Sequence, residues 1–138
     1  MDKLISPYVS QVKHNEAFHA SLMDAFPDNY FDWKITCTFY CALHLLKSLG
    51  EFLGINIGES HKEIFSNIKP NNAARLLLIK DKAYDAYSMI FDYSRVARYD
   101  GIFDSHSFEI IKRNDYLHCR SKYEYLRKYI TMERGVNV

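Results

Sequence analysis

Apolar residues recur along this chain at the three- and four-residue spacing of amphipathic helices, and no segment alternates with the two-residue period of a strand. Ser6 and Pro7 predict the start of a first helix over 7–25, because serine caps helix N-termini and proline suits the first helical position. Its apolar stripe is partial and consists of Val9, Val12, Phe18, Leu22 and Phe26.

A second helix is predicted over 30–53, and apolar side chains cover most of its circumference, which is typical of the central helix of a bundle. Trp33, Tyr40 and His44 are seven and four positions apart, so they lie on one face of this helix. Two interpretations stay open: core aromatics with one satisfied histidine, or a cleft in which His44 shuttles protons or stacks on a base. Gly50 indicates a kink or a close packing contact.

A short helix and a longer one are predicted next. Ser60 and Glu63 match the S-x-x-E capping box and predict a short helix that ends by Pro70. Asn71 or Asn72 is then expected to cap the fourth helix. Its apolar and small residues at helical spacing are Leu76, Ile79, Ala83, Tyr87, Ile90, Ser94 and Ala97.

The last helix is predicted over 105–132, capped by Asp104 or Ser105, after Asp100 and Gly101 end the fourth. One of its rows consists of Phe108, Ile111, Asp115, His118 and Lys122, and another of Tyr116, Cys119, Tyr123, Leu126 and Ile130. We therefore predict an all-α fold, an up-and-down bundle of four long helices plus one short helix, as a single domain over 1–138.

Composition and charge limit the kinds of site that the chain can have, but they do not indicate a function. With 138 residues and a net charge of +1, the chain has no global field that attracts nucleic acid, so any polyanion site has to be a local cluster. Cys37, Cys41 and Cys119 form no C-x-x-C pair and are expected to be buried free thiols. Without a signal peptide or a long uncharged apolar run, we expect a cytoplasmic protein that does not enter membranes. No motif predicts a cofactor or a metal site.

Two arginines stand one helical turn apart near the end of the fourth helix. Arg95 and Arg98, followed by Tyr99, can direct their guanidinium groups at one anion. Ion pairs with Asp92 and Asp100 would explain them structurally. Recognition of a phosphate is the alternative, because the guanidinium group matches phosphate oxygens in a bidentate geometry.

A third group of polar residues lies in the last helix, at Arg113, Asn114 and His118. Arg113 and His118 are five positions apart, which rotates them by about 140° around the helix. Within one chain they do not share a face, so a joint role requires a helix edge or a two-fold interface.

The order of several motifs resembles that of small HEPN-like proteins of bacteria and archaea. The resemblance covers about 28–100 and is carried by D-W-x6-Y-x-A-L-H, S-H-x-E and A-Y-x5-Y-S-R-x-A-R-Y. The residues in these motifs are Asp32, Trp33, Tyr40, Ala42, Leu43, His44, Ser60, His61, Glu63, Ala86, Tyr87, Tyr93, Ser94, Arg95, Ala97, Arg98 and Tyr99.

The resemblance implies a helical bundle that forms a two-fold dimer. Many HEPN domains are similar to metal-independent ribonucleases with an R-x4-6-H motif, which Arg113, Asn114 and His118 match here. The histidine would then move a proton at the ribose 2′-OH or the leaving oxygen, and the arginine would stabilise charge on the phosphate. Pairing the motif across a dimer would also bring Arg113 and His118 together.

The most distinctive motifs of this resemblance lie elsewhere, so the position of the site stays open. His44 and His61 with Arg95 and Arg98 form a second candidate, to which the neighbouring Trp33, Tyr40 and Tyr99 belong as binding residues. We expect a homodimer that acts on RNA or nucleotides, as a toxin or defence ribonuclease. The alternatives are a non-catalytic nucleotide- or protein-binding accessory, with a cognate antitoxin or a small nucleotidyltransferase as partner, and a plain helical interaction module.

Overall fold

The computed structural model describes residues 6–99 and 105–138, and it places side chains for all of these except 98, 99 and 105–107. The elements are α1 (Pro7–Ala25), α2 (Phe31–Phe52), α3 (His61–Ile68), α4 (Asp81–Tyr99), α5 (Ser105–Lys128) and a π-helical turn over Tyr129–Glu133. No β-strand occurs in the described ranges. The predicted all-α bundle of four long helices and one short helix is confirmed.

Helix α2 is the centre of the bundle and packs against α1, α4 and α5, while α4 also packs against α5. Its buried apolar residues are Phe31, Ile35, Cys37, Phe39, Cys41, Ala42, Leu43, Leu45, Leu46 and Leu49. Because these residues cover most of the helix circumference, α2 can contact neighbours on several sides. The predicted central position of this helix is confirmed.

Two helix starts predicted from capping residues, those of α1 and α3, agree with the structure. The Ser6 hydroxyl accepts a hydrogen bond from the backbone N–H of Val9 at 3.3 Å. The Ser60 hydroxyl accepts one from the backbone N–H of Glu63 at 3.1 Å, as the capping box requires. Both caps satisfy a backbone donor that has no partner within the helix.

The start of α4 differs from the prediction, because the helix begins at Asp81 rather than after Asn72. The Asn72 side chain instead accepts a hydrogen bond from the Ala74 N–H at 3.1 Å and donates one to the Ser66 carbonyl at 2.8 Å. The Leu77 N–H bonds to the Asn67 carbonyl at 3.0 Å, which holds the segment against α3 instead of continuing a helix. The predicted boundaries at 100, 101 and 104 lie outside the described residues.

The predicted apolar stripe on α1 is wrong beyond its first turns. Val9 and Val12 are buried, but the Phe18 side chain is 55% exposed and Phe26 is also exposed. His19 is buried in their place, although it is polar. The helix therefore directs a partly polar face at the bundle and leaves aromatic side chains on its outer side.

Of the two rows of residues predicted along the last helix, α5 buries the second in the core. The buried members are Tyr116, Cys119, Tyr123, Leu126 and Ile130, the last of them in the π-helical turn. All three cysteines are free and buried, as expected. None of the helices in the described ranges is long and apolar enough to span a membrane.

A close packing contact, one of the two alternatives predicted at Gly50, gives a first testable prediction. A Cβ atom added there would lie 2.7 Å from the Ile55 carbonyl oxygen and 3.3 Å from Cγ2 of Ile57. We expect Gly50→Ala to lower the free energy of unfolding by about 1–3 kcal/mol, because backbone atoms cannot move aside easily. Urea denaturation measures this change. A rise of about 1 kcal/mol, the usual gain from alanine over glycine in a helix, would contradict the contact.

Candidate functional site

A groove runs along the outer side of α1 and α2, which are antiparallel because a five-residue turn joins them. Its volume is about 530 Å³. The α1 side consists of Gln11, Asn15, Phe18, Leu22 and Phe26, and the other side of Tyr30, Trp33, Thr36, Cys37, Tyr40 and His44. We call this feature the α1–α2 groove, and no charged side chain lines it among the described residues.

Aromatic rings dominate the surface of the α1–α2 groove. Trp33 is 61% exposed and Tyr40 is exposed as well, so the interpretation of these rings as core aromatics is wrong. In the turn between α1 and α2, at one end of the groove, Tyr30 has a φ of 58°, which is uncommon for a residue other than glycine. Its ring meets that of Phe26 edge-on, with the centroids 4.9 Å apart. The turn therefore places two further rings at this end of the groove.

His44 supplies a hydrogen-bond acceptor at the opposite end of the groove. Its Nδ1 lies 2.8 Å from the Tyr40 carbonyl oxygen, and since a carbonyl only accepts, Nδ1 carries the hydrogen. Burial lowers the pKa of His44, against the opposing effect of this hydrogen bond and with a small contribution from Lys47. The neutral ring leaves Nε2 as an acceptor.

The other members of the second candidate site lie apart from the α1–α2 groove. His61 is the exposed first residue of α3, and its ring centroid lies 5.1 Å from that of Phe91 and 5.6 Å from that of Phe39. The Arg95 guanidinium lies 6.0 Å from the Phe91 ring centroid. His44 and His61 thus belong to two different groups of residues.

Arg95 of α4 does not form the buried ion pair that a purely structural explanation requires. Arg95 is exposed and lies 3.8 Å from an Asp92 carboxylate oxygen that is equally exposed, and such surface pairs contribute little to stability. The side chains of Arg98 and Tyr99 lie outside the described residues.

The polar group of α5 lies on the surface of the bundle. Arg113, Asn114 and His118 are all exposed on one continuous helix. His118 Nδ1 forms a hydrogen bond with the Tyr93 hydroxyl of α4, and their ring centroids are 5.5 Å apart. Burial raises the pKa of Tyr93, and the charge of Asp115 adds to this effect. Tyr93 therefore stays protonated and fixes the orientation of the His118 ring.

Exposed apolar side chains lie next to Arg113 and His118 on α5. Ile110, Ile111 and Leu117 are each at least half exposed, and we call them the α5 apolar face. At about 100° per residue, Leu117 and Ile110 lie between Arg113 and His118 around the helix, together with the polar Asn114, and Ile111 lies just beyond His118. Contiguous exposed apolar residues of this kind mark interaction surfaces.

Polar contacts between α1 and α5 form a network that the sequence did not predict. His19 Nε2 lies 2.7 Å from the Tyr116 hydroxyl. The Glu16 carboxylate accepts hydrogen bonds from the Tyr123 hydroxyl at 2.7 Å and from Arg127 Nε at 2.8 Å. The sequence offers one signal for this network. Residues 9, 12, 16, 19 and 23 are three or four positions apart, so they lie on the same face of α1.

The network lowers the pKa values of both Glu16 and His19, for different physical reasons. Burial alone would raise the pKa of Glu16, but the hydrogen bonds from Arg127 and Tyr123 outweigh it and the pKa is lowered. Burial lowers the pKa of His19 to about 4, and the charges of Arg120 and Lys34 act in the same direction. At neutral pH the network therefore holds a charged carboxylate and a neutral imidazole.

Lys34 is a further buried polar residue that sequence patterns did not single out. Its side chain is completely buried, and its ammonium group donates a hydrogen bond to the Phe26 carbonyl oxygen. The same group lies 4.3 Å from the centroid of the Phe31 ring. This contact ties the C-terminal end of α1 to the start of α2.

Comparison with known protein families, curated proteins and solved structures found no match. No group of three or more His, Cys, Asp or Glu side chains within 6–99 and 105–138 is arranged to hold a metal ion. The candidates for chemistry in these ranges are therefore the α1–α2 groove, the group around His61 and Arg95, and the α5 surface.

The lowered pKa of His19 predicts how stability depends on pH. The folded-state pKa of about 4 lies below the ordinary value of 6.5, so the unfolded chain binds more protons between these pH values. Stability should fall by about 3 kcal/mol from pH 7 to pH 4 through this group. We expect His19→Gln to reduce the pH dependence of the free energy of unfolding, measured by urea denaturation at each pH.

His14→Gln, an exposed histidine on the same helix, is the matched control for this comparison. The same pH dependence in His19→Gln as in the unsubstituted protein would contradict a buried neutral His19.

Proposed function

We propose that this chain is an HEPN-like, metal-independent endoribonuclease of toxin or defence type that works as a homodimer in the cytoplasm. The observation that supports it is the α5 apolar face, of which Ile110 and Leu117 lie between Arg113 and His118 around an exposed helix surface. Burying this face against a second copy would exclude water from apolar side chains and stabilise the pair.

A two-fold pairing also accounts for the divergent directions of the two side chains. Arg113 and His118 point about 140° apart around α5, so one copy cannot direct both at a single phosphate. In a two-fold interface each surface meets its own copy in reverse, so that Arg113 of one copy approaches His118 of the other. Each dimer would then contain two equivalent sites.

The proposed chemistry follows from the groups at such a site. His118 takes the proton from the ribose 2′-OH as the 2′-oxygen attacks the adjacent phosphorus, and the bond to the 5′-oxygen breaks. The leaving oxygen takes a proton from water and His118 later releases its proton to solvent, which gives a 2′,3′-cyclic phosphate and a 5′-hydroxyl end. Arg113 stabilises the developing negative charge, and Asn114 offers an amide to a phosphate oxygen.

A non-catalytic binding function is the second candidate, favoured by the α1–α2 groove. Trp33 and Tyr40 offer exposed rings, and neutral His44 offers an acceptor, without any basic side chain in the lining. Such a surface suits a base or an apolar protein segment better than a phosphate. In this case the chain would be an accessory to a cognate antitoxin or a small nucleotidyltransferase.

Cleavage of RNA is the first prediction of this proposal. The purified protein should cleave RNA in the presence of EDTA and leave 2′,3′-cyclic phosphate ends, as detected by gel electrophoresis and end-group analysis. Arg113→Ala and His118→Ala should each reduce the rate at least about 100-fold, because each removes one catalytic group. His14→Ala removes an exposed histidine elsewhere and should retain the activity. Intact RNA with folded, dimeric protein would refute the proposal.

Mixing the two inactive variants tests the shared site. A mixed dimer of Arg113→Ala with His118→Ala would hold one intact arginine and histidine pair, so up to about a quarter of the activity should return. Leu117→Glu should disrupt the dimer and the activity, as measured by light scattering and cleavage. Leu78→Glu replaces an equally exposed leucine outside α5 and is the control. An active Leu117→Glu monomer would contradict a site shared between two copies.

The contact with His118 predicts a positioning role for Tyr93. Tyr93→Phe removes the hydroxyl that orients the imidazole, so kcat should fall several-fold with little change in KM and a shifted pH profile. Tyr84→Phe, a partly buried tyrosine of the same helix, is the matched control. Unchanged kcat and pH profile in Tyr93→Phe would exclude this role.

A further inference from the structure

The residues that line the α1–α2 groove have the spacing of a helix-packing surface. On α1 and at its C-cap they are at positions 11, 15, 18, 22 and 26, and on α2 at 33, 36, 37, 40 and 44. Steps of three and four residues are those at which one helix contacts another. The core of α1 uses a different set of positions, so α1 has one face in the bundle and a second face on the groove, while Cys37 of α2 belongs to both the core and the groove.

The length of the groove agrees with one more helix. Positions 11 to 26 of α1 span about 22 Å at 1.5 Å per residue, or about four helical turns. A small planar molecule would cover only part of this length. An amphipathic helix with apolar side chains every three or four residues would follow the groove from end to end.

Exposed aromatic rings give this surface its anchoring points. Trp33 and Phe18 are more than half exposed, one on each helix, and Tyr40 lies between Trp33 and His44 along α2. Tryptophan and tyrosine are the residues that most often dominate binding energy at protein interfaces. Their exposure on a groove without charged lining favours an apolar protein segment as the occupant.

Charge at one end of the groove sets the direction of the bound helix. Asp28 lies in the turn between the lining residues Phe26 and Tyr30, and Asp32 directly precedes Trp33, so these two carboxylates outnumber the single ammonium group of Lys34 held on the Phe26 carbonyl. The amino end of a helix carries partial positive charge, and basic residues there would add to it. The amino end of the occupant therefore belongs beside Asp28 and Asp32, which makes the bound helix parallel to α2.

We propose that the α1–α2 groove binds an amphipathic α-helix of about four turns from a partner protein, with a basic amino end beside Asp28 and Asp32. A second copy is the less suitable occupant. If the α5 apolar face pairs two copies, which rests on the proposed function, a second self-pairing surface would build open-ended chains.

Trp33 is the only tryptophan of the chain, so its fluorescence reports directly on the groove. The probe is a synthetic peptide of about sixteen residues with leucines at helical spacing and two lysines in its first turn. Titration into the full chain should shift the Trp33 emission to shorter wavelength and saturate. A scrambled peptide without the leucine stripe should give no saturable shift, and moving the lysines to the carboxyl end should weaken binding.

Substitutions in the groove test where the peptide binds. Tyr40→Glu and Phe18→Glu, on α2 and α1, should each weaken binding at least about tenfold. Leu78→Glu, an exposed leucine outside the groove, should leave it unchanged. Circular dichroism establishes that each variant is folded. Equal binding by both groove variants, or no saturable shift with the striped peptide, would overturn the proposal.

Two further outcomes would identify another occupant and so overturn the proposal. In the first, the Trp33 emission of the protein alone shifts as its concentration is raised, and Tyr40→Glu abolishes this shift. This result would indicate that a second copy occupies the groove. The second is saturable binding of adenosine or indole that displaces the peptide, which would indicate a small aromatic ligand. The peptide should bind Arg113→Ala as tightly as it binds the unsubstituted chain. Failure of the groove proposal is therefore distinguishable from failure of the ribonuclease proposal.

Discussion

The carboxylate of Glu16, held between the Tyr123 hydroxyl and the Arg127 guanidinium, determines which side of α1 faces the bundle. A partly buried carboxylate is costly unless it accepts hydrogen bonds, so any rotation of α1 that separates these groups is unfavourable. The hydrogen bond between His19 and Tyr116 adds a second constraint one turn further along. The outward position of Phe18 and the α1–α2 groove both follow from this orientation.

The helices themselves were predictable, because apolar spacing and capping are local properties of the sequence. Ser6 and Ser60 cap their helices as expected. The orientation of α1 was not predictable, because Glu16 and His19 contact residues 111 and 97 positions away. Apolar periodicity alone therefore assigned Phe18 to the core. The start of α4 was missed for a related reason, since a turn held by Asn72 contains apolar residues at helical spacing.

The sequence predicts which candidate residues of a single helix lie together, but it does not predict which residues of different helices lie together. Trp33, Tyr40 and His44 lie along one groove, because their spacing on a single helix fixes a common face. The family resemblance groups His61 with His44 because each belongs to one of its motifs, but His61 contacts Phe91 on another side of α2. The exposure of the α5 apolar face depends on how α5 packs against α4, which the sequence does not specify.

The proposed ribonuclease site and the proposed helix-binding groove occupy separate surfaces, and both depend on the contacts of α1 and α5 with the central helix. The most direct test is whether the hydrogen bond between Glu16 and Tyr123 sets the orientation of α1. A double-mutant cycle with Glu16→Met and Tyr123→Phe measures the energy of this contact. The free energies of unfolding, from urea denaturation, should show a coupling of about 1–2 kcal/mol. Additive effects of the two substitutions would contradict this contact as the constraint that places the aromatic side of α1 on the surface.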